Sequence, residues 1–592
     1  MIPRTAPLDI PRGPLRPILW LWPFALALLL AVPVLRSAPL VQDSFWIDYV
    51  WAQRFHAALA NGTVYPRWLD GSFGGLGAPV FYFYAPLSFY AVAFVMALGL
   101  PAYPALIATF ILLHAASGLT MRRWLGGHGV APNAGALLYM LLPYHLIDFH
   151  RRGALAEFAA FALLPLVARA VCRAGDQRGI AGLAVSYAAL VMTHLPTALL
   201  ASLLLILPLA LHPACRPRLP TIAAGLLLGL ALASVYLLPA LLLQRHVDMA
   251  FLWRQPGLTP AAWSLLAPDR WVSPAAGMVF ASLEIALAVA AVGLWRSTAR
   301  FWPAVTLFAC LVAANMVPGF WALPLLAKVQ FPWRALTIAE FALATAFAGA
   351  IASGAGHIRS LWLVPALALA VPIVTTPFAA GHPTLAELDR DAPDVPEYLP
   401  AAGPIRSSIA AEALARHTPD ITTRAGLQTS RRFWFPGVLA RCAGGLVPTS
   451  VDPATGLVRH PAGPRCLLST GLTTVEQIGW AVSACAVLLC LLLTTCTLRR
   501  AGALKPRSQD EGAIPMVDLT QIKEHANVIG ADGVHVGTVD HLDGDRIKLT
   551  KNDSGDGKHH YIATGLVAEV EGNDVRLSAN ADVAISIFEE SE

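Results

Sequence analysis

Of 592 residues, 56% are hydrophobic and only 13% are charged, a balance that would need an implausibly large core in water and so excludes an ordinary soluble domain. The formal charge of +5 hides two populations: residues 514–592 hold 15 Asp and Glu against 6 Lys and Arg, which leaves +14 for the rest. Apolar stretches of about 20 residues, enough to cross roughly 30 Å of hydrocarbon as a helix, recur from Pro17 to Thr497 and then stop.

In chain order, Arg4, Arg12 and Arg16 precede an apolar run from Pro17 to Leu35. The run resembles a signal peptide but is long enough to span, which predicts an uncleaved first helix with a cytosolic N-terminus. A long external loop follows, from Arg36 to about Pro101. Its Asp43 and Asp48 are five residues apart and would not share a helical face, so they are not read as a paired acid and base. Asp43 also suits the N-cap of a helix over 44–59. Within Tyr65 to Pro86, the Gly-rich, aromatic run after Asp70 fits a tight backbone at the membrane interface, and lacks the lysine and the strand-to-helix context of a phosphate loop. The stretch Pro86 to Leu100 is short and bounded by prolines, and is read as interfacial or re-entrant, with a thirteenth span left open.

Basic clusters at Arg122-Arg123, Arg173 to Arg178, Arg216 and Arg218, Arg296 to Arg300, His357 to Arg359 and Arg499 to Arg507 belong on the cytosolic side under the positive-inside rule. Twelve spans then fall near 17–35, 103–121, 131–147, 154–172, 180–193, 196–211, 219–243, 276–295, 301–318, 332–354, 360–378 and 478–498. This topology sorts Asp43, Asp48, Arg67, Asp70, Asp148, His150, Arg151, Arg152, Glu157, His194, Arg245, His246, Asp248 and Arg334 to the external surface. Ionisable groups near bilayer depth cost several kcal/mol unless paired or wet, which suggests a polar cavity opening outward. Plainer readings stand beside this one: interface charges and an ion pair for Arg151, Arg152 and Glu157, a helix end for His194, snorkelling for Arg334. Glu284 and Glu340 read as deeper structural groups, protonated or paired.

Residues 379–477 are too polar for lipid and too long for a simple loop, and predict a small external β domain near Arg431 to Thr474. Cys442 and Cys466 lie there, facing an oxidising compartment, so a disulfide between them is expected. The other six cysteines lack metal spacing and read as packing. A last span over 478–498 and a linker over 499–513 lead to residues 514–592, where short alternating segments with Asp-Gly turns predict a small cytosolic β barrel closed by a helix near 581–590. This tail resembles the PRC-barrel-like domains, which implies an adaptor role. His559-His560 reads as a solvated turn before a metal site, and the Asp spacing is not that of an EF-hand.

The order Tyr65-Pro-Arg67-Trp, Phe81-Tyr-Phe-Tyr-Ala-Pro-Leu, Arg152-Gly-Ala-Leu-Ala-Glu157, Thr193-His-Leu-Pro, Gln330-Phe-Pro-Trp-Arg334, then Phe435-Pro-Gly, Thr455-Gly-Leu and Pro461-Ala-Gly, resembles bacterial membrane proteins related to GT-C glycosyltransferases, including the YfhO-like group. The likeness covers roughly residues 15–498. It implies a mainly α, polytopic bundle over 1–378 that takes a sugar from a polyprenyl-phosphate carrier in the bacterial inner membrane and passes it to an external glycan or lipid acceptor, with no nucleic acid involved. An acidic residue of the first external loop would act as base, Asp43 first and Asp48 second. Arg151, Arg152 and Arg334 would hold phosphate, with His194, Glu157, Tyr65 and Arg67 assisting at the substrate. No cofactor or metal ligand is identified, and a divalent cation stays open. The competing class is a transporter, flippase or assembly factor, for which internal repeats with broken helices and midplane polar groups would be expected.

Overall fold

The computed structural model describes residues 18–36, 44–126, 130–249, 251–252, 255, 257–265, 274–296, 299–354, 360–375, 384–391, 394–424, 426–463, 466–503, 521–553, 558–586 and 589–590. Asp43 and the clusters over 357–359 and 504–507 lie outside them. The chain divides into two compact units, Met1–Arg499 and Arg500–Glu592.

The first unit is a mostly helical, membrane-like bundle. Among the described residues, five helices are long and apolar enough to cross a membrane: Ala102–Trp124, Leu155–Arg173, Ala276–Leu294, Pro332–Ala352 and Thr474–Thr495. Two bent pairs, Val130–Leu141 with Pro143–Arg152 and Leu195–Leu211 with Arg216–Leu232, raise this to seven if each counts as one span. The twelve expected from composition are therefore not found, because apolar sequence continues where the helix does not. Leu142 is extended before Pro143, His194 is extended before Leu195-Pro196, and Phe301–Ala313 and Val364–Thr375 are shorter than a span. The helix Leu87–Ala97 has 11 residues and rises about 16 Å, half of a bilayer core.

The break after Leu142 is held by polar contacts. Pro143 opens the helix Pro143–Ile147, and Glu340, from the helix Leu336–Ala352, accepts the orphan N–H groups of Tyr144 (2.6 Å) and His145 (3.0 Å). The chain then widens into a π-helical turn over Asp148–Arg152 and stops at Gly153, which is left-handed (φ 59°). Only glycine fits there, because a Cβ would lie 2.5 Å from the Phe45 Cβ and 3.1 Å from its Cα. Ser44 N–H donates to the Arg152 carbonyl (3.0 Å), and Leu155 N–H to Asp48 Oδ2 (3.0 Å). The helix Phe45–Ala60 is thereby fastened across the start of the helix Leu155–Arg173.

Residues 394–470 fold against the first loop. A four-stranded sheet has the order Ile421–Arg424, Leu427–Phe433, Leu457–Pro461, Ser450–Val451, and a three-stranded one the order Gly445–Pro448, Val438–Cys442, Leu467–Thr470. A disulfide joins Cys442 to Cys466. Phe433 N–H donates to the Leu76 carbonyl (2.8 Å), and Asp394 takes both Arg54 Nη1 (2.6 Å) and Phe73 N–H (2.6 Å). Thr473 and Glu476 form a reciprocal capping box at the start of the helix Thr474–Ala503, and Glu476 also pairs with Arg67 (3.4 Å).

The second unit is one seven-stranded sheet ordered Val567–Glu571, Asp574–Leu577, Asn527–Ile529, His535–Asp543, Arg546–Leu549, His560–Ala563, Glu589–Glu590. The expected closed barrel is not formed among the described residues: the two end strands do not pair with each other there, one being two residues long and the other carrying Glu569 and Glu571 on its edge. The helix Ala581–Ser586 packs beside it, and His559 donates Nδ1–H to the Leu549 carbonyl (2.8 Å).

Gly153→Ala should destabilise the first unit by more than about 1 kcal/mol through its left-handed backbone alone, and further through the Phe45 contact. Thermal unfolding in detergent measures this, with Gly62→Ala, which has positive φ but open surroundings, as the control that carries the backbone cost only.

Candidate functional site

The π-helical turn and the helix that follows it put Asp148, Arg152 and Glu157 side by side. Arg152 Nη1 donates to Asp148 Oδ1 (2.6 Å), to Glu157 Oε2 (3.0 Å) and to the Tyr144 hydroxyl (3.3 Å). Glu157 accepts Tyr144 O–H on Oε1 (2.6 Å) and Arg334 Nε on Oε2 (3.2 Å). Arg334 comes from the turn Pro332–Ala335 and is further held by the Val329 carbonyl (2.7 Å). One buried carboxylate thus bridges two guanidinium groups 182 residues apart in sequence, and Asp148 with Glu157 offsets both charges.

The two arginines of this cluster, Arg152 and Arg334, line a cavity of about 1150 Å³. Asp48, Arg151, Arg152 and Arg334 line it, together with Tyr84, Glu397 and Tyr398. Apolar walls come from Trp263, Phe280, Phe331 and Trp333, with Leu369 and Ile373 beside them. Trp333 stacks on Phe280 (4.2 Å) and on Phe331 (4.4 Å), and meets Trp263 edge-on (4.2 Å). The cavity therefore joins an ionic lining to an aromatic and aliphatic wall, which suits a ligand with a charged head and an apolar tail.

Two features of this cavity escape sequence reading. Glu397 sits in the turn Pro396–Tyr398, positioned by the pairing of Val247 with Pro400 and by Ala401 N–H donating to the His246 carbonyl (2.8 Å). Burial lifts its carboxyl from the ordinary range to about 7. No periodicity or spacing marks it in the sequence. Gln330 has φ 70° and ψ −64°, with Phe331 N–H donating to the Val329 carbonyl (2.9 Å), a strained γ-turn directly before the arginine-bearing turn.

Other expected site residues go elsewhere. Arg67 is taken by Glu476, by the Val235 carbonyl (2.8 Å) and by the face of Tyr65 (4.1 Å), and so ties the first loop to the last helix. The Tyr65 hydroxyl donates to the Phe81 carbonyl (3.0 Å). His194 hydrogen-bonds Thr197 (2.7 Å) at a helix start and does not line the cavity. Asp70 is exposed beside Arg432 (3.8 Å). Among the described residues, no group of three or more His, Cys, Asp or Glu is placed to hold a metal ion.

Residues 81–251, which contain Arg151, Arg152, Glu157 and His194, match a family profile described as "6-pyruvoyl-tetrahydropterin synthase related domain; membrane protein". Residues 522–584 match that of an uncharacterized protein conserved in bacteria (DUF2171). No curated protein matches the chain. Among solved structures, the arabinofuranosyltransferase AftD from Mycobacteria is similar at 20% identity with a TM-score of 0.42, over 63% of this chain and 27% of that one. A mutant form of it is similar at 18% and 0.37, over 61% and 28%. This chain thus matches less than a third of that enzyme's length.

Glu157→Ala leaves two buried arginines short of a partner and should cost about 3–5 kcal/mol, whereas Asp70→Ala, which removes an exposed partner, should stay within about 1 kcal/mol. Detergent melting curves of the two variants test the difference, and equal shifts would refute the central role of Glu157.

Proposed function

We propose that this protein is a membrane glycosyltransferase of the GT-C kind that moves a sugar from a polyprenyl-phosphate carrier to an envelope glycan or lipid acceptor. The observation that carries the reading is the cavity itself, where carboxylates and three arginines meet an apolar aromatic wall in one space. In the reaction the bond from the anomeric carbon to the carrier phosphate breaks and a bond to the acceptor oxygen forms. Asp48, fixed by the Leu155 N–H, takes the acceptor's hydroxyl proton, and Arg151, Arg152 and Arg334 steady the departing phosphate. Glu157 acts through the arginines it positions, and the aromatic wall receives the carrier's first isoprenoid units. Asp43, the first choice of base from the sequence, lies outside the described residues and becomes the alternative.

The same reading puts the cavity on the external face of a bacterial cytoplasmic membrane and the acidic tail in the cytosol. Supporting it, Arg169, Arg173 and Arg218 gather at the opposite end of the helix whose start borders the cavity, as the positive-inside rule requires. The disulfide lies in the segment that also supplies Glu397, and disulfides persist in oxidising compartments. A transporter is the second reading, favoured by the two bent helix pairs, but the ionic cluster sits at one end of its helix and not at mid-depth.

Asp48→Asn should lower transfer from a radiolabelled polyprenyl-phosphate sugar in isolated membranes by about 10²–10⁴-fold at equal protein abundance; an unchanged rate would remove Asp48 from the chemistry. Glu397 is neutral below its pKa of about 7 and negative above it, and a negative group in the cavity repels an anionic donor. The KM for donor should therefore rise as pH climbs through about 7, and Glu397→Gln should hold it flat.

A further inference from the structure

A second large cavity, of about 1740 Å³, lies at the other end of the helix Leu155–Arg173. Its rim carries Arg169 and Arg173 at the end of that helix, Arg178 at the start of the helix Gln177–Thr193, and Arg218 just before Leu219–Leu232. One carboxylate, Asp176, shares the rim, and it already caps its own helix by accepting Gly179 N–H (2.8 Å). Arg169 donates to the Arg123 carbonyl (2.7 Å) and Arg218 to the Cys172 carbonyl, which holds both side chains in place. Below the rim the wall is mostly apolar, with Gly182, Val185 and Ala189 and the hydroxyl of Ser186 over about two helical turns on one side and Val487 and Leu491 about one turn apart on the other. The helix supplying Val487 and Leu491 buries only 22% of its apolar window inside the protein.

We propose that this groove binds an anionic phospholipid, with its phosphate among Arg169, Arg173, Arg178 and Arg218 and an acyl chain along Val185, Val487 and Leu491. Arg169, Arg173, Arg178 and Arg218, from three separate segments, border one concave opening beside Asp176, so an anionic group lodged there meets several guanidinium groups at once. A free phosphate would leave the apolar wall uncovered, whereas a lipid satisfies both parts. Gly182 supports this placement, since a Cβ built on it meets nothing within 4 Å: the helix surface there is open space. This site stands independently of the chemistry assigned to the cavity at the other end.

The test uses the full-length protein purified in a mild detergent, with lipid retention read by native mass spectrometry. Dioleoyl phosphatidylglycerol should be retained over dioleoyl phosphatidylcholine. The double variant Arg169→Gln, Arg173→Gln should lose about thirtyfold in phosphatidylglycerol affinity, the effect of two arginines near an anionic lipid. Gly182→Phe, which keeps every arginine and fills the groove, should lose retention as well. Equal retention of the two lipids by the natural protein, or undiminished phosphatidylglycerol binding by both variants, would overturn the proposal. So would sn-glycerol 3-phosphate competing as well as the whole lipid, because it would show that the apolar groove contributes nothing.

Discussion

Charge buried at the end of an apolar helix bundle is costly unless each ion finds a partner, and in this protein Glu157 is the partner on which the others depend. It receives Arg152 from the turn before its own helix, Arg334 from a distant turn, and the hydroxyl of Tyr144. Tyr144 is in turn held through its backbone by Glu340. Three segments that composition treats as separate spans are thereby locked at one point. Coulomb attraction in this setting is strong but so is the cost of desolvation, and the arrangement is better understood as fixing geometry than as adding stability. What it fixes is where two guanidinium groups stand beside a cavity.

The helix Leu155–Arg173 sets the scale of the molecule. Its 19 residues rise about 28 Å, close to the thickness of a hydrocarbon core. At its start, Asp48 caps Leu155 and Glu157 anchors the arginines; at its end, Arg169 and Arg173 face a second groove. One continuous helix therefore separates two charged openings by a bilayer's depth. The strand-rich segment over 394–470 and the first loop meet at the former end, joined by Asp394 to Arg54 and Phe73 and by the Phe433 N–H to the Leu76 carbonyl.

Much of this could be read from residue types, and the failures have physical causes. Arg152-Gly-Ala-Leu-Ala-Glu157 and Phe331-Pro-Trp-Arg334 stand out because charge and proline interrupt apolar runs, and the structure brings them to one cavity together with Asp48 and Arg151. Arg67 stands out equally and goes elsewhere, because its partner Glu476 looks in the sequence like nothing more than a capping-box acid. Glu397 carries no periodic or motif signal; only the folding of the 394–401 turn against Val247 buries it. Spans are overcounted because hydropathy does not register where a proline or a π-turn breaks a helix. The tail's strands are legible from alternation and Asp-Gly turns, but closure depends on pairing between edge strands, which alternation cannot specify.

The cavity beside Glu157 is where these strands of evidence converge, and a structure of the full chain in lipid nanodiscs supplied with a polyprenyl phosphate tests it most directly. The account predicts phosphate density within about 4 Å of the guanidinium groups of Arg151, Arg152 or Arg334, with the isoprenoid lying along the aromatic wall of Trp263, Phe280, Phe331 and Trp333. Density for the phosphate elsewhere, with this cavity holding only water, would contradict it.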